Sequence, residues 1–130
     1  MSFKAVLTFK GNEYNVLSYS YTCRRDLDAS GRPSSPVRGH IIDLTIEATE
    51  DTSFVKWMWM QYEVESGTIT FYKRDSEQKM IEMKFKEAYI GMYNRTFNAE
   101  GSDPFIERFQ ISAKEYDFGD ANVVAFWIDE

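Results

Sequence analysis

Among 130 residues there is one cysteine, Cys23, and one histidine, His40. A single thiol excludes an internal disulfide, so nothing in the chain reports an oxidising compartment. His40 has no second His or Cys at ligand spacing, which excludes a zinc set that does not draw on carboxylates. Long apolar runs are also missing: none approaches the ~20 residues that a spanning helix needs. The opening MSFKAVLTFKGNEY alternates polar and apolar residues without a continuous apolar core or small-residue cleavage site, so no secretory signal peptide is expected. A soluble protein made in the cytoplasm is the expectation, with any export taking another route. There is no G-x-S-x-G, no phosphate-cradling glycine loop and no G-x-G-x-x-G.

Positive charge is scarce too. The net charge is -6, which repels phosphate backbones. The basic groups are Arg24/Arg25 with Arg32 and Arg38, and Lys73/Arg74; Asp26 and Asp28 interrupt the first, Asp75 and Glu77 the second. Neither nucleic-acid binding nor membrane insertion is expected.

What is present is a 43% hydrophobic, 16% aromatic chain of the size of one domain, expected over residues 1–130. Phe3, Ala5, Leu7 and Phe9 alternate with polar residues as a half-buried strand. Gly11-Asn12 then suits a hairpin turn into EYNVLSYSYTC. Ile42, Leu44, Ile46 and Ala48 form a further apolar face, as do Ile81, Met83 and Phe85, then Phe109, Ile111 and Ala113. Turns are expected at Arg74-Asp75-Ser76, Asn98 to Asp103 and Gly119-Asp120, and a last strand in NVVAFWIDE. About eight short strands imply a mainly β protein, an antiparallel barrel or sandwich.

One helix is expected, in TEDTSFVKWMWMQYEVESG, with Thr49, Asp51 or Thr52 as cap and Gly67 as a later stop. Its apolar residues fall in two stripes: Phe54, Trp57 and Met58, and Val55, Trp59 and Tyr62. A helix with one core-facing side needs one stripe. Either the helix is packed deep over a barrel mouth or sheet edge, or another subunit buries its second face.

Between the second and third strands lies RRDLDASGRPSSPVRGH, residues 24–40, long for a loop without its own secondary structure. Asp26-x-Asp28-x-Ser30-Gly31 matches the opening of an EF-hand loop, but the twelfth position falls on Val37 instead of glutamate and prolines occupy the eighth and eleventh. Asp, Ser and Gly there serve turn chemistry. Cys23 and His40 bracket the loop, yet no third group supports a nucleophilic pair; a buried thiol and a surface imidazole are expected instead. Pro33 and Pro36 lower the entropy of the unfolded arm, and Arg24, Arg25, Arg32 and Arg38 offer forked donors to carboxylates. Self-association through an extended arm is the physical reading.

The motifs GRPSSPVRG, TEDTS opening a Trp/Met helix, GTITFYKRDSEQKM, FKEAYI and FQISA follow one another over nearly the whole chain. Together they resemble the tube protein of type VI secretion, the haemolysin-coregulated protein (Hcp/TssD) family, in its Bacteroides-type branch. The resemblance implies a β-barrel of two sheets with one flanking helix and a long loop. It implies homohexameric rings stacked into a hollow tube that a contractile sheath ejects behind a spike, carrying effectors in bacterial competition. The subunit would be structural, not an enzyme, with no cofactor, metal or catalytic residue, and would pass from the bacterial cytoplasm to the extracellular space or a target cell. The arm interface would fall on Arg24, Arg25, Asp26, Asp28, Arg32, Pro33, Ser34, Ser35, Pro36 and Arg38, and a helix interface on Val55, Trp59 and Tyr62. His40 stands where a second glycine is expected after Gly39, and the ending NVVAFWIDE is more apolar than expected. The alternative is a monomeric barrel binding a glycan or small ligand through its Tyr-rich strand and Trp surfaces.

Overall fold

A computed structural model describes residues 4–73 and 78–125. The turn expected at Arg74-Asp75-Ser76 and the end of the last expected strand, from Phe126, lie outside the described residues. Seven strands and one helix follow in order: β1 (Lys4–Phe9), β2 (Asn12–Arg24), β3 (Arg38–Glu47), α1 (Ser53–Trp59), β4 (Glu65–Tyr72), β5 (Lys79–Phe97), β6 (Phe105–Asp117) and β7 (Asn122–Val124). Among the described residues the strands number seven, and they are not all short as expected, because β5 alone runs for 19 residues.

All neighbouring strands are antiparallel, in the order β3-β2-β1-β4-β5-β6-β7, and β3 also pairs with β6. That extra pairing, from Ile42 opposite Ile111 to Glu47 opposite Ile106, turns one sheet into a closed ring of six strands. The edge of β6 beyond this seam takes β7, through Glu115 opposite Val124 to Asp117 opposite Asn122. Closure leaves few unpaired backbone groups to solvent.

The inward faces follow from alternation. Leu7 and Phe9, then Ile42, Leu44 and Ile46, then Phe109, Ile111 and Ala113 are buried, as is Ile69 with Met83 and Phe85. Ile81, expected on the same face, is instead exposed, since it lies beyond the ring near the start of β5. The first hairpin turns at Lys10-Gly11, one residue earlier than expected; φ of 51° and 80° at its two central residues is the left-handed pair that a two-residue turn matching strand twist requires. Gly67 is no helix stop. It lies in β4, where an added Cβ would stand 2.5 Å from the ring of Phe85, so the absence of a side chain lets that ring fill the core.

The ring has two different ends. β2 and β3 run the length of the wall and are joined by residues 25–37, which project as the arm at one end. The Lys10-Gly11 turn, residues 48–52, α1 and the connection from β5 to β6 gather at the other. No helix among the described residues is long and apolar enough to cross a membrane.

Candidate functional site

The arm is not a featureless loop. Leu27 bridges Pro33 in antiparallel fashion, and backbone amides of Asp28 and Ser34 donate to the carbonyls of Arg32 (2.8 Å) and Asp26 (2.8 Å). The result is a miniature hairpin with a turn at Asp28–Gly31, closed by the Gly31 amide on the Asp28 carbonyl at 3.0 Å. The Asp28 carboxylate accepts from the Ser30 amide (2.9 Å), the Ser30 hydroxyl (2.7 Å) and the Arg32 amide (3.0 Å), and these bonds, the hydroxyl foremost, hold it below the usual carboxylate range. Ser35 accepts from the Asp26 amide at 2.8 Å and donates to the Pro36 carbonyl at 3.1 Å. Arg38 pairs with Asp26. Both aspartates of the EF-hand-like opening are thus engaged in shaping the arm, and among the described residues no three His, Cys, Asp or Glu side chains gather as metal ligands.

Gly39, with φ of 77°, sits where the β2–β3 register shifts between Thr22 and Arg24. That left-handed residue accommodates the extra position through which the arm rejoins β3. Its neighbour His40 is half-buried, its Nδ1 2.7 Å from the Tyr21 hydroxyl, while its carbonyl accepts from the Tyr116 hydroxyl. Cys23 is exposed. The expected buried thiol and surface imidazole are therefore reversed, because β2 continues past the ring at Cys23 whereas His40 already lies over Tyr116.

At the opposite end, α1 is shorter than its sequence pattern. Asp51 accepts from the Ser53 amide (3.0 Å) and hydroxyl (2.8 Å) just before the first turn, and Tyr14 donates to its other oxygen, which keeps its pKa low. The helix stops at Trp59 instead of running toward Gly67. The Trp57 indole donates to the Glu63 carbonyl at 3.0 Å, and Lys10 pairs with Glu63 at 3.3 Å and Glu65 at 3.0 Å, so these residues are drawn back to the wall, where β4 begins.

Phe54 and Trp57 plug the mouth of the ring. Phe54 stacks on Phe9 (4.8 Å) and Phe109 (4.4 Å), and Trp57 on Phe9 (5.1 Å). Met58, expected beside them, is exposed. Of the second stripe Val55 is half-buried, while Trp59 is 83% and Tyr62, beyond the helix, 77% exposed. Met60 and Val64 extend this open apolar surface. One stripe, through Phe54 and Trp57, thus packs over the mouth of the ring, while the other, through Trp59 and Tyr62, is left uncovered on the single chain.

Sequence reasoning missed Glu107. It is fully buried on β6, accepting from the Tyr93 hydroxyl, with Arg95 Nε 3.9 Å away. Burial pushes its pKa up. Arg95 also donates to the Thr49 carbonyl at 2.6 Å, tying the segment before α1 to the wall. The available signal was a carboxylate on the face that alternation gives to Phe109, Ile111 and Ala113.

The described surfaces thus comprise a basic projecting hairpin at one end and an uncovered aromatic cap at the other. A family model described as Hemolysin coregulated protein Hcp (TssD) matches residues 1–128. The structure of Hcp1 from Flavobacterium johnsoniae is similar with a TM-score of 0.89 and 37% identity, over 93% of this chain and 98% of that one. Hcp1 from Salmonella typhimurium shares the fold with a TM-score of 0.69 and 11% identity, over 95% and 92% of the two chains. Secreted protein Hcp3 from Pseudomonas aeruginosa does so at 0.64 and 7%, over 97% and 100%. No curated protein matches.

Proposed function

We propose, because the chain belongs to the Hemolysin coregulated protein Hcp (TssD) family, that it is a tube subunit of type VI secretion whose six copies close into a ring and whose rings stack into a hollow, effector-carrying tube. The observation that carries this reading is the similarity to Hcp1 from Flavobacterium johnsoniae along nearly all of both chains. The separation of the two exposed surfaces supports it. A projecting arm at one end and an open apolar cap at the other suit heterologous contacts, in which different patches of identical subunits meet and the assembly either closes or continues.

In this reading the function is geometric. The subunit interface comprises the arm, through Arg24, Arg25, Arg32, Pro33, Ser34, Pro36 and Arg38, with Asp26, Asp28 and Ser35 holding its shape, and the cap, through Val55, Trp59 and Tyr62. The partners are further copies of the chain and the sheath, spike and effectors of the secretion machine. The protein would leave the bacterial cytoplasm through that machine and perform no chemistry of its own.

The test is native mass spectrometry of the purified protein with negative-stain imaging of the same sample. Hexamers seen as open rings are expected. A folded monomer at every concentration would overturn autonomous ring formation and favour a barrel that binds a glycan or small ligand.

A further inference from the structure

Glu107 lies where the barrel accommodates charge least well. It shares the inward face of β6 with Phe109 and stands one inward position nearer the mouth. Phe54 stacks on Phe109 at 4.4 Å. The segment leading into α1 is fastened beside it: the Ala48 amide donates to the Phe105 carbonyl at 3.0 Å, and Arg95, opposite Glu107 on β5, donates to the Thr49 carbonyl. With β3 and β5 as wall on either side, residues 48–52 and α1 form the lid that keeps water from this carboxyl group.

Its polar surroundings are incompletely matched. One oxygen accepts from the Tyr93 hydroxyl, and Arg95 Nε lies 3.9 Å from that same oxygen. The other oxygen, and Arg95 Nε itself, are buried without a hydrogen-bond partner among the described residues. The titratable and charged groups that face Glu107 are Tyr93 and Arg95 from β5 and Asp51 from the lid, with Tyr14 of β2 bonded to Asp51. β3 sets Ile46 opposite it, and α1 turns Phe54 and Trp57 inward, whereas Glu50 and Lys56 are exposed. Burial is the strongest influence on Glu107 and raises its pKa; the Tyr93 hydroxyl and the Arg95 charge act against it, and the Asp51 charge adds to it.

We infer that Glu107 is a proton-operated latch: protonated, it lets residues 48–52 and α1 seal the mouth of the barrel, and ionised, it favours their lifting so that water reaches the carboxylate. A buried carboxylate with an unmatched oxygen is costly, and its neutral form far less so. Lifting the lid removes that penalty without parting any wall strand. A helix of seven residues is marginal by itself, so the lid is a natural unit of local opening. Trp59 ends α1 and Tyr62 follows it, so the same proton governs how the open aromatic surface is presented. The latch belongs to the single chain and stands apart from the tube reading.

The direction follows from linkage. With the lid open, Glu107 returns toward the ordinary value near 4.3; with it closed, the value is higher. Between the two, each unit of pH makes opening up to about tenfold easier, and above the closed-lid value the effect levels off.

Hydrogen exchange read by mass spectrometry tests this on the full chain, from pH about 4.5 to 8, with each rate divided by the intrinsic rate at that pH. Protection of residues 48–60, which include the hydrogen-bonded amides of Ala48, Lys56 and Met60, is expected to fall as pH rises and then level off. Protection of β3 along its seam with β6 should stay constant. In Glu107→Gln the fall should vanish. Tyr93→Phe removes a donor that favours the ionised form, so it should carry the fall to higher pH. Protection independent of pH in the parent, or a fall that survives Glu107→Gln unchanged, would overturn the latch. So would equal losses in the lid and in β3, since the whole barrel and not the lid would then be responding. If Glu107→Gln fails to fold, Tyr93→Phe decides: a fall that ends at the parent's pH would overturn the proposal.

Discussion

The arm end and the helix end are built by different physics. The arm is held by its own polar groups: two backbone bonds across the hairpin, the Asp28 turn, Ser35 and one ion pair, with almost every residue from Cys23 to Gly39 exposed. The helix end is held by burial, with Phe54 and Trp57 stacked into the ring over Phe9 and Phe109. The difference separates shape from stability. An element whose bonds are internal can be altered without unsettling the barrel, whereas a helix that is also the plug of the core cannot.

The largest effect expected from this division is at Phe54. Phe54→Ala removes a buried ring from a stacked cluster and should destabilise the fold by about 3–5 kcal/mol in urea unfolding. Removing residues 29–31 from the arm tip should cost far less. Equal losses would break the comparison. Next comes Gly67→Ala, whose methyl would collide with Phe85; an overpacking loss of about 1–3 kcal/mol is expected by the same measurement.

Two carboxylates at the helix end sharpen the contrast with pH. Burial raises the pKa of Glu107, so its favourable contribution is complete below the unfolded value near 4.3 and is lost as pH rises through the folded one. Asp51 has the opposite sign. Held down chiefly by the Tyr14 hydroxyl, it contributes above the unfolded value near 3.9 and loses that contribution as pH falls through the folded one. Urea midpoints across the acid range should therefore show the parent gaining on Glu107→Gln as pH drops toward about 4, then losing ground to Asp51→Asn below that. Parallel curves for all three proteins would contradict the assignment. The smallest effect belongs to Arg32→Glu: stability should stay within about 0.5 kcal/mol of the parent in thermal unfolding, whatever becomes of assembly.

How much of this was legible in the sequence divides along the same line. Turn residues act locally, so Asp28, Ser30 and Gly31 could be assigned their roles without knowing the fold. Alternation placed the inward faces of β3 and β6 correctly because each residue's neighbours two positions away share its environment. Helix length was not legible. The residues that end α1 early are engaged by Lys10 and by the Trp57 indole, contacts set by tertiary position that no helical period encodes. Ile81 was misplaced for a related reason, since alternation says which face a side chain takes but not whether the opposing wall extends that far. The partners of Glu107 depend on the register of β5 against β6, which pairs Arg95 with Glu107. The arm's arginines could be read from the sequence; their distance from the cap required the strand order.

The β3–β6 seam also sets an order of events during synthesis. It joins residues 42–47 to residues 106–111, so the ring cannot close until most of the chain exists. Until β6 emerges, β3 can pair with β2 but has an open edge on its other side, rich in Ile and Leu. Such an edge is a template for another nascent chain. The pairing that closes the ring, available only once residues 106–111 have been made, is therefore the one that makes the subunit safe to accumulate, and a slow step in folding belongs at that seam.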